Sequence, residues 1–285
     1  MISAYHNLFV CSVLTYLMEP ETRKRIRDSL GSLPVTIRED LPESFEKIGD
    51  ILIIYLKPHH LPFEAEIGEA YRRAFDVKTV LRKGRIHGNY RVPDSMVIAG
   101  SETVTTHKEN SILYQLDLSQ VMFCSGNIHE RIRVSTFPPH EKVVDMFAGI
   151  GYFTLPIAKY CHSHVQALEK NEHAYRFLCE NIVQNNVAHL VTPHLMDCSE
   201  YEGLADRVIM GHPRAHAYLE KAFALVDRGV LVYHEFAPEG RSNRAIERLT
   251  SAARKAGKEV SIEGMRRIKK YSPGVWHIVC DARIQ

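Results

Sequence analysis

Gly149 and Gly151 flank Ile150 in "VVDMFAGIGYFTLPIAKY", where a strand-like run gives way to an amphipathic helix. Two glycines at such a junction let the backbone turn tightly and let a ligand approach bare peptide groups. Glu169 lies twenty residues past Gly149, at the end of the next strand-like run, "VQALEK". A carboxylate there is placed to accept hydrogen bonds from two ribose hydroxyls. Asp197 ends the third run, in "HLMDCSE", where it can meet an adenine amino group. Turn, ribose acceptor and base acceptor in this order describe an adenosine pocket. A dinucleotide fingerprint wants a third glycine, but Tyr152, Phe153 and Thr154 follow Gly151. Asp145, four residues before Gly149, suits a ligand with an ammonium group. S-adenosylmethionine is the better fit.

Other chemistry-bearing residues sit at the ends of later runs. His212, with Pro213 and Arg214, follows the fourth strand-like run, and His234 with Glu235 ends the fifth. The carboxyl edge of an open α/β sheet is where ligands bind, so these groups are candidates to orient a base or accept a proton. Polar residues that merely satisfy a strand end look the same in sequence.

The elements that must position these groups alternate. "KVVDMF", "HVQALEK", "VTPHLMD", "DRVIMG" and "GVLVYHEF" read as strands, with helical patterns between them. That texture predicts an α/β fold, a doubly wound, mostly parallel sheet of the class I methyltransferase type. The last stretch breaks it, giving two strand-like runs around Ser272-Pro273-Gly274 and hence a terminal antiparallel hairpin. Upstream, shorter strands and turns read as a smaller N-terminal α/β domain. The expected division is an N-terminal extension with a helix over 1–45, a small α/β RNA-binding domain over 46–118, and a catalytic domain over 119–285.

Composition excludes some classes. With 45% hydrophobic and 25% charged residues, the 285-residue chain reads as an ordinary globular protein. The six cysteines form no Cys-x-x-Cys pair and the sixteen histidines show no metal-site spacing, so no metal is expected and the thiols read as free, in a cytoplasmic protein. The opening apolar run is too short and too interrupted to span a membrane, and reads as a packing helix or an upstream extension, with Met18 an alternative start.

A net charge of +2 does not announce nucleic acid, but local charge does. From Arg72 to Arg91 the bases Arg72, Arg73, Lys78, Arg82, Lys83, Arg85 and Arg91 face one acid within the run, Asp76. Arg266, Arg267, Lys269 and Lys270 form a second cluster near the hairpin. Such clusters track phosphates. Tyr90 and Tyr271 are candidates to stack on bases.

"VVDMFAGIGYFTLPIA" followed by "ALEKN" resembles the class I S-adenosylmethionine family that modifies the guanosine beside the tRNA anticodon. One branch methylates guanosine N1. The other, the wybutosine-synthesizing aminocarboxypropyltransferases, moves the aminocarboxypropyl group onto a ring carbon of a tricyclic guanosine derivative. "VKTVLRKGRIHGNYRVPD", "VMFCSGNIHERIR", "DRVIMGHPRAH", "VYHEFAPEG" and "IKKYSPGVWHIVCD" place the chain nearest the archaeal form of the second branch. The methylating branch typically carries an Asn-Pro-Pro-like segment after the fourth strand, where this chain has Met210-Gly211. The resemblance implies a tRNA partner, most naturally the anticodon region of tRNA-Phe, and a monomer. It also implies that Arg131 pairs with the cofactor's carboxylate, with Cys124 and Asn127 adding contacts and Cys198 near the adenosine.

Overall fold

The computed structural model describes residues 16–88, 92–212 and 214–285. Arg91, Tyr90, Pro213 and most of the opening segment read as a helix or extension lie outside the described residues.

The first unit runs β1 (Tyr16–Leu17), α1 (Pro20–Ser29), α2 (Val35–Glu39), β2 (Ser44–Ile48), β3 (Ile51–Ile54), α3 (Glu64–Phe75), β4 (Thr79–Arg82), the short pair β5 (Ile86–His87) and β6 (Val92–Pro93), and β7 (Met96–Ala99). Its sheet has the order β1-β2-β3-β4-β7. Ile26, Leu30, Leu33, Ile37 and Leu41 are buried together with Leu52, Ile67, Tyr71 and Val80. The segment expected to stand apart as an extension therefore closes the small unit's own core.

β8 (Val104–Glu109) and β9 (Ile112–Asp117) form a hairpin that was expected to belong to the small domain. Its apolar face, through Ile112, Tyr114 and Leu116, joins a core made of second-half residues together with Ile48, Ile51 and Leu81 of the first unit. Two buried asparagines on α6 (Glu172–Gln184 and its C-cap Asn185) hold it there. Asn181 Oδ1 accepts the Gln115 N–H at 2.7 Å, and Asn185 Oδ1 accepts the Leu113 N–H at 2.9 Å. The edge of β9 thus finds side-chain partners in place of another strand, which satisfies its backbone. The hairpin also bonds the first unit, the Thr105 hydroxyl donating to Asp50 Oδ1 at 2.6 Å, so it bridges the two halves.

The second half continues with α4 (Ile128–Val134), β10 (Lys142–Asp145), α5 (Thr154–Cys161), β11 (His164–Glu169), α6, β12 (Val191–Leu195), β13 (Arg207–Met210), α7 (Leu219–Ala224), β14 (Gly229–Pro238), α8 (Arg244–Ala256), β15 (Val260–Ser272) and β16 (Val275–Ile284). The sheet order is β12-β11-β10-β13-β14-β16-β15, parallel except for β16 and β15. Val143, Val144, Val208, Ile209 and Val230 to Val232 are buried on both faces, as a parallel sheet covered by helices requires. Order reverses beside β10, so a crevice opens at the carboxyl ends of β10 and β13. The expected α/β class, parallel sheet and terminal hairpin are all present.

Candidate active site

The crevice is a cavity of about 650 Å³. Its walls come from the carboxyl ends of β10, β11, β13 and β14, from the turn before α4, from β15, and from Glu46, Lys83 and Gly84 of the first unit.

The turn after β10 forms its floor. Gly149 has φ 57° and Gly151 has φ 100°, both in the region that side chains disfavour. A Cβ on Gly149 would stand 2.6 Å from the Tyr152 ring. Gly149 borders the cavity. Gly151, expected to touch a cofactor, faces Leu155 and Leu178 instead, and its place is the close crossing of turn and helix. The turn is braced from outside by Asn181 Nδ2, which donates to the Ile150 carbonyl at 3.1 Å.

Glu169 ends β11 against this turn. Its Oε2 accepts the Gly149 N–H at 2.8 Å and its Oε1 accepts the Asn171 N–H at 2.7 Å. Burial raises its pKa, opposed by those backbone donors. The carboxylate is oriented by two peptide groups and still borders the cavity, as a ribose acceptor must. Asp197 borders it too. Its Oδ2 accepts from Lys170 Nζ at 2.9 Å, and its Oδ1 accepts from the Ser199 N–H and hydroxyl at 3.0 and 2.8 Å. Burial pushes this carboxyl up, but the Ser199 and Lys170 donors outweigh it and bring it to about 2. Cys198 is buried beside it, its thiol pushed up to about 12 first by burial and then by Asp197.

Asp145 departs from expectation. It is fully buried and absent from the cavity wall, its Oδ2 accepting the Thr154 hydroxyl at 2.8 Å. Burial raises it to about 6. It ties β10 to α5 and does not face a ligand's ammonium.

Arg131 borders the cavity with its guanidinium fixed by three hydrogen bonds. Nε and Nη2 donate to Glu109 at 2.5 and 2.6 Å, and Nη1 donates to the Cys124 carbonyl at 2.9 Å. A buried, bidentate guanidinium–carboxylate pair of this kind is neutral as a unit. Arg131 thus also fixes the turn at Cys124, and two of its five N–H groups are left over from these bonds. Asn127 borders the cavity nearby, and its buried Oδ1 has no hydrogen-bond partner among the described residues. An acceptor left open at a cavity wall fits a ligand's ammonium.

The three catalytic candidates meet at the cavity in different states. His234 is buried, with Nδ1 at 3.0 Å from His277 Nε2 and its ring against Phe153. Burial, then Arg133 and Arg266, lower it to about 3, so it is neutral at physiological pH. Glu235 is held by Arg244 at 3.0 Å, Arg248 at 2.6 Å and the Tyr233 hydroxyl at 2.5 Å. Both of its oxygens are thus occupied by donors from its own surroundings. His212 lies partly exposed at the wall, stacked on Phe147 with its Nδ1 accepting the Arg214 N–H at 3.1 Å.

The basic run is less bare than its sequence implies. Glu69 binds Arg72 and Arg73, Asp50 and Glu102 bind Lys78, Glu64 binds Arg82, and Glu46 binds Lys83 at 2.5 Å. Arg85 is exposed. Lys269 and Lys270 both border the cavity, Lys270 exposed over the Trp276 ring and Lys269 in contact with Cys124 Sγ. Phe147, Tyr152 and Phe153, which border the cavity, and the brace Asn181 were not singled out as site residues from sequence. Asp40, His59 and His60 also converge, but Lys57 already occupies Asp40 at 2.5 Å.

Comparison with known proteins agrees with this geometry. The TRM5/TYW2 methyltransferase domain matches residues 105–262, and the TYW2 N-terminal domain matches residues 26–103. That division supports placing the hairpin with the second half. The tRNA(Phe) (4-demethylwyosine(37)-C(7)) aminocarboxypropyltransferase of Pyrococcus horikoshii is 40% identical over 269 residues, 92% of this chain and 97% of that protein. The tRNA (guanine(37)-N(1))-methyltransferase Trm5b of Pyrococcus abyssi is 39% identical over 260 residues, 89% of this chain and 78% of that protein. The crystal structure of P. horikoshii TYW2 in complex with MeSAdo superposes with a TM-score of 0.85 at 38% identity, covering 92% of this chain and 98% of that one. On these matches, which cover both halves and the cavity between them, the chain belongs to the TRM5/TYW2 family.

Proposed function

We propose that this chain moves the 3-amino-3-carboxypropyl group of S-adenosylmethionine onto 4-demethylwyosine in the anticodon region of tRNA-Phe, releasing methylthioadenosine. It does so as a cytoplasmic monomer. The similarity to the P. horikoshii enzyme over nearly its whole length supports this reaction. The Trm5b relative is similar as well, and one observation separates the two chemistries. At the end of β13, where the resemblance to the methylating branch leads to an asparagine being expected, this chain has Met210-Gly211, and a Cβ on Gly211 would lie 2.5 Å from the Phe153 ring. A side-chain amide at Gly211 would require the Phe153 ring to shift.

Bound S-adenosylmethionine supplies a sulfonium whose three attached carbons are all electrophilic, so the product depends on which carbon faces the nucleophile. Glu169 accepts from the ribose and Asp197 from the adenine amino group, with Gly149 and Cys198 packed alongside. His234, at the cavity wall with its Nδ1 at 3.0 Å from His277 Nε2, orients the base. His212, partly exposed at the wall, is a second candidate to contact the base. The test is incubation with S-adenosylmethionine and tRNA bearing the tricyclic precursor, followed by nucleoside mass spectrometry. An aminocarboxypropyl gain is expected. A methyl gain would assign the chain to N1 methylation.

A further inference from the structure

Glu235 is one carboxylate between two guanidiniums. Arg244 Nη2 donates to its Oε1 at 3.0 Å and Arg248 Nη1 to its Oε2 at 2.6 Å. One arginine would neutralise this buried acid, so the cluster keeps a surplus positive charge. Glu239 and Glu247, the other acids nearest in sequence, are exposed and form no ion pair with either arginine. A guanidinium carries five N–H groups. Arg244 Nη2 serves Glu235 and the Phe236 carbonyl, Arg248 Nη1 serves Glu235, and the two side chains stay 29% and 32% exposed. Donors are left over at the surface.

The fold brings this pair to the cavity. Arg244 and Arg248 stand one turn apart at the start of α8, on one face of the helix. Ala245 and Leu249, the residue after each, are buried in one core with Tyr233 and Ala237, which fixes the pair at the carboxyl end of β14. The turn after β13 faces the same place. Burial first, then Arg248, Arg244 and Arg214, push His216 below its ordinary value against the pull of Glu235. His216, Arg214 and Arg241 are exposed, and Arg214 and Glu235 border the cavity. A basic patch therefore runs from the cavity wall onto α8.

We propose that Arg244 and Arg248 bind a phosphate of the tRNA backbone beside the nucleotide that enters the cavity, and that Glu235 holds them in position. Guanidiniums already fixed by a carboxylate lose little freedom on engaging a phosphate through paired N–H groups. The inference rests on the reading of tRNA as substrate and deepens it by naming a backbone contact. Glu235 is a positioning residue that acts through the two arginines.

The test is binding of an anticodon stem-loop RNA across a salt series by wild type, Arg244→Gln and Arg248→Gln, with methylthioadenosine affinity measured alongside. Glutamine keeps a donor for Glu235 and removes the charge. Each variant should bind the RNA roughly tenfold more weakly and make the log–log salt dependence shallower by about one, with methylthioadenosine affinity unchanged. A neutral methylphosphonate is then placed at each phosphate flanking the target nucleotide in turn. One of the two should weaken binding to wild type and leave Arg248→Gln unaffected, the signature of a direct pair. Unchanged salt dependence in both variants would overturn the proposal, as would no effect of either methylphosphonate on wild type. A parallel loss of methylthioadenosine affinity would also overturn it, by assigning the arginines to the fold alone. Failure of wild type to bind the stem-loop at all would instead remove the reading of tRNA as substrate, and the proposal with it.

Discussion

Glu169 shows how one side chain couples the turn to the ligand. Its two oxygens accept the Gly149 and Asn171 N–H groups, so the same carboxylate that meets a ribose also fixes the turn beneath it. Glu169→Gln removes one of those acceptors and the charge. We expect affinity for S-adenosylmethionine and for methylthioadenosine to fall together, by about tenfold or more, because the lost contact is to the shared nucleoside. A loss confined to S-adenosylmethionine would contradict this. His234 carries a pH signature. Its pKa drops from 6.5 to about 3 on folding, first through burial and then through Arg133 and Arg266. Between those values the unfolded chain binds more protons, so stability rises with pH across the window and falls as pH drops from 6.5 toward 3. Urea midpoints measured across that range should decline toward acid in wild type and decline less in His234→Asn. Equal slopes would show that this histidine does not set the acid limb.

At the scale of elements, the docking of the β8–β9 hairpin on α6 depends on Asn181 and Asn185. Asn181 bonds the Gln115 N–H, the Gln115 carbonyl and the Ile150 carbonyl from a fully buried position. Asn181→Leu keeps the volume and orphans all three groups, each at a cost of about 1–3 kcal/mol. We expect a stability loss of about 3 kcal/mol or more in chemical denaturation, and a loss below about 1 kcal/mol would mean that the turn and hairpin hold without it. These asparagines also mark what the sequence could not reveal. The parallel sheet and the glycine turn are legible because apolar periodicity and glycine spacing are local signals. Asn181 sits inside a helical pattern, and its partners are backbone groups 66 and 31 residues away. The same limit explains Asp145 and Arg131. Each residue type suits a ligand, but Thr154 and Glu109, which claim them, lie at separations that no local pattern encodes.

Across the whole molecule, the cavity is shared between two units, and its charge is set by tertiary pairing. Acids from α3, β2 and the loops neutralise Arg72, Arg73, Lys78, Arg82 and Lys83, which in sequence read as one basic strip. Surface pairs of this kind are weak and yield to phosphate. Arg85 and Lys270 are exposed, and they are residues we propose as RNA contacts. Single Arg85→Ala and Lys270→Ala variants should weaken tRNA binding and each make the log–log salt dependence shallower by about one. An unchanged slope would remove that residue from the interface. None of the described helices is long and apolar enough to cross a membrane. The central claim is that the methionine arm is transferred and the methyl stays on sulfur. Its most direct test uses two preparations of S-adenosylmethionine, one labelled in the carboxyl carbon and one in the methyl group, each incubated with the protein and precursor tRNA. Label should enter RNA from the carboxyl-labelled preparation, while the methyl label remains in methylthioadenosine. The reverse distribution, methyl label in RNA and carboxyl label in S-adenosylhomocysteine, would contradict the account.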